Sequence, residues 1–244
     1  MDYTALKDQC VEWIRNWFEK NGNGCCAVLG MSGGKDSTVA AALCAEALGK
    51  DRVVGVAMPA EGQSLNEADL ICDHLGIRYI CAPIGDIVKG FDTVRASVKE
   101  GFSHQTEQNI PPRVRMAVLY AVSQSLNGRV VNTCNLSEDW VGYATRWGDS
   151  VGDFSPLGGM VVQEIKGVGH ALGIPARWVD KIPDDGLPHS CSDEEKFGFS
   201  YETLDRYIRT GQCEDEAVRE KIDRMHRNNL FKLSMPEHFE PELS

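Results

Sequence analysis

The chain lacks several features that would assign it to particular classes of protein. It contains no run of about 18 consecutive apolar residues, so neither a membrane span nor a membrane partner is expected. Its 9 cysteines are scattered and none forms a Cys-x-x-Cys pair, which argues against a structural zinc site, an iron–sulfur site or a disulfide framework. We therefore expect reduced thiols, several of them acting as small core residues.

Basic residues are also scarce. The chain has 25 lysines and arginines against 36 aspartates and glutamates, giving a formal net charge of −11. Sequence-independent binding of nucleic acid relies on cations that neutralise phosphates, so nucleic acid is not an expected partner. The N-terminus has no basic segment leading into an apolar one, so no secretory signal is expected and the predicted location is cytoplasmic.

What the chain does contain is an apolar run that enters a Ser-Gly-Gly loop and leaves it as an alanine-rich helix. This layout presents unpaired backbone N–H groups at a helix N-terminus, where anions bind. Glycines allow a phosphate to come close, serines and a lysine add donors, and an aspartate can hold Mg²⁺ or simply cap the helix. The residues of this phosphate loop are Gly30, Met31, Ser32, Gly33, Gly34, Lys35, Asp36 and Ser37.

Strands and helices are predicted to alternate along most of the chain. Apolar or β-branched runs predict strands at residues 25–31, 52–58, 78–82 and 129–134. Helical spacing predicts helices at residues 3–21, 37–48, 65–75, 87–102, 113–126, 161–172, 201–210 and 214–228. We expect loops at residues 103–112, before a helix opened by two prolines, and at residues 135–155, beyond the fourth strand.

This alternation predicts an α/β fold, an open parallel twisted sheet with helices on both faces. A chain of 244 residues suits one large domain. Within it we expect an N-terminal helix (1–21), a nucleotide-binding core (24–175) and a C-terminal helical region (176–244). A ligand is expected beyond the carboxyl ends of the strands.

The phosphate loop is not a Walker A loop, because Asp36 follows Lys35 and Leu29 stands where the first glycine belongs. It resembles the Ser-Gly-Gly-x-Asp-Ser loop of the ATP pyrophosphatases, which cleave ATP between its α and β phosphates. Later elements, in the same order, resemble those of ammonia-dependent NAD synthetases. They are Asn109 with Arg113-Val114-Arg115-Met116, Thr133 with Glu138, Arg146-Trp147-Gly148-Asp149 with Asp153, Ser192-Asp193-Glu194, and His226-Arg227.

The resemblance implies an adenine nucleotide α-hydrolase-like, Rossmann-like fold and a specific reaction. ATP would adenylate the nicotinate carboxylate of deamido-NAD, and ammonia would displace AMP to give NAD. The phosphate loop, Gln63 and Thr133 would bind ATP, with Asp36 as a catalytic residue. Lys35 is a second expected catalytic residue because of its own positive charge, since many members of the family carry an uncharged residue at that position. Asp36 and Glu138 would hold Mg²⁺.

For the second substrate, the resemblance implies binding of deamido-NAD by Arg113, Arg146, Asp153, His226 and Arg227. Two positions depart from the family. Val162 stands where many members have an ATP-contacting lysine, and Asp184 stands where they have serine or threonine.

Two other functions stay open from the sequence, a tRNA-modifying ATP pyrophosphatase and a non-catalytic sensor of ATP or a dinucleotide. The resemblance also implies a homodimer. Because the first strand is predicted to start at residue 25, we expect no N-terminal amidase domain of the glutamine-dependent type. Ammonia is therefore the expected nitrogen source.

Overall fold

A computed structural model describes residues 1–63, 67–181 and 192–241 of the chain. Its strands form one parallel sheet in the order β3-β2-β1-β4, which confirms the predicted α/β class. The strands are β1 (Cys26–Gly30), β2 (Val53–Ala57), β3 (Arg78–Cys81) and β4 (Gly128–Val130).

Helices alternate with the strands as far as β4, and the elements described after β4 are helices. They are α1 (Tyr3–Asn21), α2 (Lys35–Leu48), α3 (Ala68–Leu75), α4 (Gly85–Ser97), α5 (His104–Ser125), α6 (Leu136–Val141), α7 (Val162–Ala171), α8 (Ala176–Val179), α9 (Asp193–Phe197), α10 (Tyr201–Thr210) and α11 (Glu216–Leu233). No helix of the described ranges is long and apolar enough to cross a membrane.

The core lies on both faces of the sheet because successive strand residues point to opposite sides. Leu29 packs in one apolar cluster with residues of α1 and α2, such as Ile14 and Leu43. Val28 packs in a second cluster on the opposite face, with Val114 of α5. Both β1 side chains are completely buried. The sheet is therefore covered by helices on both faces, and its carboxyl edge carries the segments that follow β1, β2 and β4.

A third apolar cluster joins α6 and α7 to the C-terminal helices. Phe197, Leu204 and Ile222 form its centre. Buried polar groups lie beside it, since Asp205 accepts hydrogen bonds from the Ser137 hydroxyl at 2.6 Å and from the Gln163 N–H at 2.8 Å. This packing fixes α6 beside the carboxyl edge of the sheet.

The structure corrects several of the predicted boundaries. Strand β4 ends at Val130 and α4 at Ser97, four and five residues before the predicted ends. The predicted loop at residues 103–112 is wrong, because the Ser103 side chain accepts a hydrogen bond from the Thr106 N–H and starts α5 there. Both prolines lie inside α5, where burial of Ile110 and Val114 favours continuing the helix. The segment 135–155 is not all loop, because Asn135 caps the short helix α6. The last helix runs to Leu233, five residues beyond the prediction.

Candidate active site

The phosphate loop turns from β1 into α2 at the carboxyl edge of the sheet. Gly33 has a φ of +78°, a left-handed conformation that a β-carbon disfavours, which explains the glycine. The hydroxyls of Ser32 and Ser37 lie 3.1 Å apart, and Ser32 accepts a hydrogen bond from the Gly34 N–H. Gly34 begins α2 without a side-chain cap, so the N–H groups of the first turn suit an anion such as a phosphate.

The lysine of the phosphate loop is buried. Lys35 is 3% exposed, and its Nζ donates to Asp36 Oδ2 at 2.8 Å. Burial lowers the pKa of Lys35, but the nearby carboxylates of Asp36, Glu138 and Asp193 outweigh burial and raise it above its ordinary value. The ammonium therefore stays charged and offers a fixed positive charge close to the phosphate loop.

Glu138 is brought to the loop by the start of α6. The Asn135 side chain accepts a hydrogen bond from the Glu138 N–H at 3.0 Å, and its amide donates to Asp36 Oδ1 at 3.4 Å. Burial, together with the Asp36 charge, raises the pKa of the Glu138 carboxyl to about 8, and Lys35 only partly offsets this. Two carboxylates thus repel each other in a poorly solvated place, where a cation is favoured.

The pair Asp36 and Glu138 fits Mg²⁺ bound together with a nucleotide. Among the described residues, no group of three or more His, Cys, Asp or Glu is arranged to hold a metal ion by itself. Mg²⁺ in nucleotide sites typically uses one or two carboxylates and takes its other ligands from water and phosphate. The hard oxygen donors and their mutual repulsion match that mode of binding.

A cavity of about 490 Å³ extends from the phosphate loop along the carboxyl edge of the sheet. Every residue of the loop lines it, and so do Gln63, Thr133 and Glu138, so the structure brings the predicted ATP and metal residues together. Its far wall comes from α5 and the segment after α6. Arg115 and Asp149, which belong to the elements that resemble the family, lie on this wall. The lining residues that sequence reasoning left out include Tyr120 and Tyr143 on this wall, and Lys181 after α8.

The C-terminal part of the chain contributes Asp193 to the same cavity. Its carboxylate accepts hydrogen bonds from the Tyr143 hydroxyl at 2.7 Å and from the Tyr201 hydroxyl at 3.3 Å. The Lys35 ammonium lies 5.8 Å from the centre of the Tyr201 ring. The first turn of α9 therefore packs against the phosphate end of the site through two tyrosines.

The residues expected to bind deamido-NAD do not line this cavity. Arg113 is exposed and its Nε donates weakly to the Arg146 carbonyl at 3.4 Å. Arg146 lies between the rings of Trp147 and Phe231, at 5.0 and 5.3 Å, and donates to the Ser234 carbonyl. These two arginines form a basic patch beside the cavity.

The other three residues predicted to bind deamido-NAD also do not line the cavity. Asp153 accepts a hydrogen bond from the Val130 N–H at 2.7 Å and so supports β4. His226 stacks on Trp140 at 4.0 Å, and its Nδ1 lies 3.0 Å from the Trp140 carbonyl oxygen. Arg227 is exposed on α11. In this structure the described contacts of Asp153 and His226 stabilise the fold.

Of the two positions that depart from the family pattern, the structure describes Val162 but not Asp184. Val162 is buried in the third apolar cluster and does not line the cavity. The valine therefore does not take the place of a lysine in the cavity wall. Lys181 lines the cavity instead. Asp184 lies outside the described residues.

Asp139, next to Glu138, gives a prediction about stability. Its Oδ1 is buried and has no hydrogen-bond partner among the described residues, and burial, with the Asp149 charge, raises its pKa to about 6. Because the folded state disfavours the charged form, the free energy of unfolding falls as pH rises from about 4 to about 6 and stays lowered above that. Asp139→Asn should therefore stabilise the protein at pH 8 by about 1–2 kcal/mol, with a smaller gain at pH 5. Urea unfolding at both pH values checks this, with the exposed Asp73→Asn variant as control. An equal change in the free energy of unfolding at pH 5 and pH 8 would contradict it.

The fold and the site define a nucleotide-binding α/β enzyme of the adenine nucleotide α-hydrolase type. The NAD synthase family profile matches residues 6–240, and the chain belongs to this family. The NH(3)-dependent NAD(+) synthetase of Methanocaldococcus jannaschii is 38% identical over 222 residues, covering 88% of this chain and 85% of the relative. That of Archaeoglobus fulgidus is 34% identical over 243 residues, covering 97% and 96%.

Two solved structures are similar over almost the whole chain. NMN synthetase from Francisella tularensis has a TM-score of 0.89 and 25% identity, covering 100% of both chains. The NH3-dependent NAD synthetase of Campylobacter jejuni, solved with a nitrate ion, has a TM-score of 0.79 and 28% identity, covering 98% of this chain and 100% of that one. Family membership confirms the predicted class of enzyme, an ATP-dependent ligase that forms a C–N bond in NAD synthesis.

Proposed function

We propose that the enzyme adenylates the nicotinate carboxylate of deamido-NAD and then amidates it with ammonia. A carboxylate oxygen attacks the α-phosphorus of ATP, and the bond to the β-phosphate oxygen breaks, releasing pyrophosphate. Ammonia then attacks the acyl carbon of the adenylate, loses a proton, and displaces AMP. The observation that supports this most is that the phosphate loop, the Lys35 cluster, Gln63 and Thr133 all line one cavity.

The residues around the phosphate loop suit the first step. A carboxylate attacking a triphosphate meets a concentration of negative charge, which must be neutralised for the reaction to proceed. The N–H groups at the start of α2 and the Lys35 ammonium supply fixed donors and a fixed positive charge. Asp36 and Glu138 would hold Mg²⁺, which when bound neutralises charge on the phosphate oxygens.

A shorter acceptor, nicotinate mononucleotide, is a second candidate for the same chemistry. The TM-score to an NMN synthetase is 0.89, against 0.79 for an NAD synthetase of similar identity. In addition, the five residues expected to bind deamido-NAD do not line the cavity. A mononucleotide would need fewer contacts beyond the cavity than a dinucleotide.

Product analysis with both acceptors tests these proposals. Enzyme, Mg²⁺, ATP and ammonium should convert deamido-NAD to NAD with one AMP and one pyrophosphate per amide. Preferential conversion of nicotinate mononucleotide to its amide would favour the second candidate. AMP formed only when tRNA is added would favour a tRNA-modifying enzyme, and ATP binding without turnover of either acceptor would favour a sensor.

The nitrogen source, assembly and location are part of the proposal. Ammonium should support turnover, whereas glutamine free of ammonia should not. We propose a homodimer, supported by the apolar groove that Ile80 of β3, Val122 of α5 and Leu126 just after α5 line. A mass from light scattering tests this. A single domain and a cytoplasmic location remain predictions from the sequence.

Lys181 gives a test of how ATP is held at the far wall of the cavity. Lys181 follows α8 and is a basic residue that lines the cavity, whereas Val162 is buried in the third apolar cluster. Lys181→Met should raise the KM for ATP by about tenfold, because one charge-assisted hydrogen bond is lost. Lys166→Met, a half-buried lysine outside the cavity, is the control. Steady-state kinetics with varied ATP checks this, and equal KM values for the two variants would contradict it.

A further inference from the structure

The amide of Gln63 is held at its oxygen. Its Oε1 accepts a hydrogen bond from the Ala60 N–H at 3.1 Å and another from Arg115 Nη2 at 2.6 Å. Both partners can only donate, so the network fixes which end of the amide is oxygen. Gln63 lines the cavity, and its –NH₂ group is therefore the end left for a ligand.

Arg115 is itself fixed between two parts of one segment. Its Nε donates to the Met58 carbonyl at 3.1 Å while Nη2 binds Gln63 five residues later. Burial lowers the pKa of the Arg115 guanidinium, and Asp149 partly offsets this. A planar guanidinium can hold both acceptors at once, which a lysine ammonium cannot do with the same geometry. Arg115 thus ties α5 to both ends of the segment that follows β2.

The orientation of the Gln63 amide affects which nucleotide binds. This inference rests on the proposed function, in which the base of ATP lies against Gln63. A –NH₂ group recognises an acceptor atom on a purine. Adenine N1 is an acceptor, whereas N1 of hypoxanthine and of guanine carries a hydrogen. We propose that Arg115 is a positioning residue that sets the orientation of the Gln63 amide and thereby selects ATP over ITP and GTP.

The ratio of kcat/KM for ATP to that for ITP tests the proposal. In Arg115→Met only the Ala60 N–H still holds the Gln63 oxygen, so the amide more often rotates and presents its oxygen to the ligand. The ratio should therefore fall by about tenfold or more. Gln63→Glu keeps a partner for Arg115 but removes the –NH₂ donor, so the ratio should fall there too. Arg115→Lys should give an intermediate value, and the exposed Arg95→Met should keep the wild-type ratio.

Equal losses with ATP and ITP in Arg115→Met would overturn the proposal, because they would show that Arg115 only supports the loop. If Arg115→Met does not fold, the ratios in Arg115→Lys and Gln63→Glu decide the question, and unchanged ratios there overturn it. Calorimetric binding of ATP and ITP to the wild-type enzyme measures selectivity without turnover. An enzyme that binds ATP selectively but forms no amide would contradict the proposed function and leave this inference standing.

Discussion

Asp36→Asn should lower kcat/KM for ATP by about 10²- to 10³-fold while leaving the fold intact. The asparagine keeps the shape of the side chain but not its charge. It removes one of the two carboxylates proposed to hold Mg²⁺ and leaves the buried Lys35 ammonium, 2.8 Å away, without its nearest counter-charge. The Mg²⁺ concentration that gives half-maximal rate should rise as well.

A matched control separates this effect from a change in overall charge. Asp51→Asn removes an exposed carboxylate on the short 3₁₀ turn before β2 and should behave as the wild type. Circular dichroism and steady-state kinetics at several Mg²⁺ concentrations make the comparison. If a folded Asp36→Asn enzyme retained kcat/KM within about threefold, Asp36 would not be part of the catalytic site.

Lys35→Gln should raise the KM for ATP by about 10- to 100-fold, because a charge-assisted contact with phosphate is worth about 1.5–3 kcal/mol. The Lys35 side chain is 3% exposed and lines the cavity beside the phosphate loop. The same change removes the positive charge that Asp36, Glu138 and Asp193 share, so the free energy of unfolding should also fall.

The exposed Lys20→Gln variant, on α1, is the control for the loss of one lysine. Varying ATP at saturating ammonium gives KM, and urea unfolding gives stability. A KM for ATP equal to that of the wild type would show that Lys35 balances charge within the protein and does not contact the nucleotide.

Local patterns were sufficient for the sheet and for the phosphate end of the site. Apolar runs predict the four strands, although β4 is shorter than expected, and the Ser-Gly-Gly loop predicts an anion site at the start of α2. Glu138 was named from a resemblance, and the structure shows the reason for its position: Asn135 both caps α6 and contacts Asp36. The cap at Asn135 is a local relation within one turn of helix, whereas its contact with Asp36 joins two distant parts of the chain.

Long-range contacts were beyond reach of the sequence. Two prolines predicted a helix start, but burial of Ile110 in the second apolar cluster extends α5 back to His104. The sequence gives no sign that Tyr120 and Lys181 line the cavity, because each reaches it only through the packing of distant elements. The resemblance to the family implies that His226 binds deamido-NAD, and only the fold shows that its ring stacks on Trp140.

We propose that ATP is split at its α–β bond to activate a nicotinate carboxylate. Deamido-NAD labelled with ¹⁸O in that carboxylate tests it most directly, with ATP, Mg²⁺ and ammonium present and nicotinate mononucleotide run in parallel. We expect one ¹⁸O atom in the phosphate of each AMP released, with one pyrophosphate and one amide formed. Formation of ADP and inorganic phosphate, or AMP that carries no ¹⁸O, would contradict it.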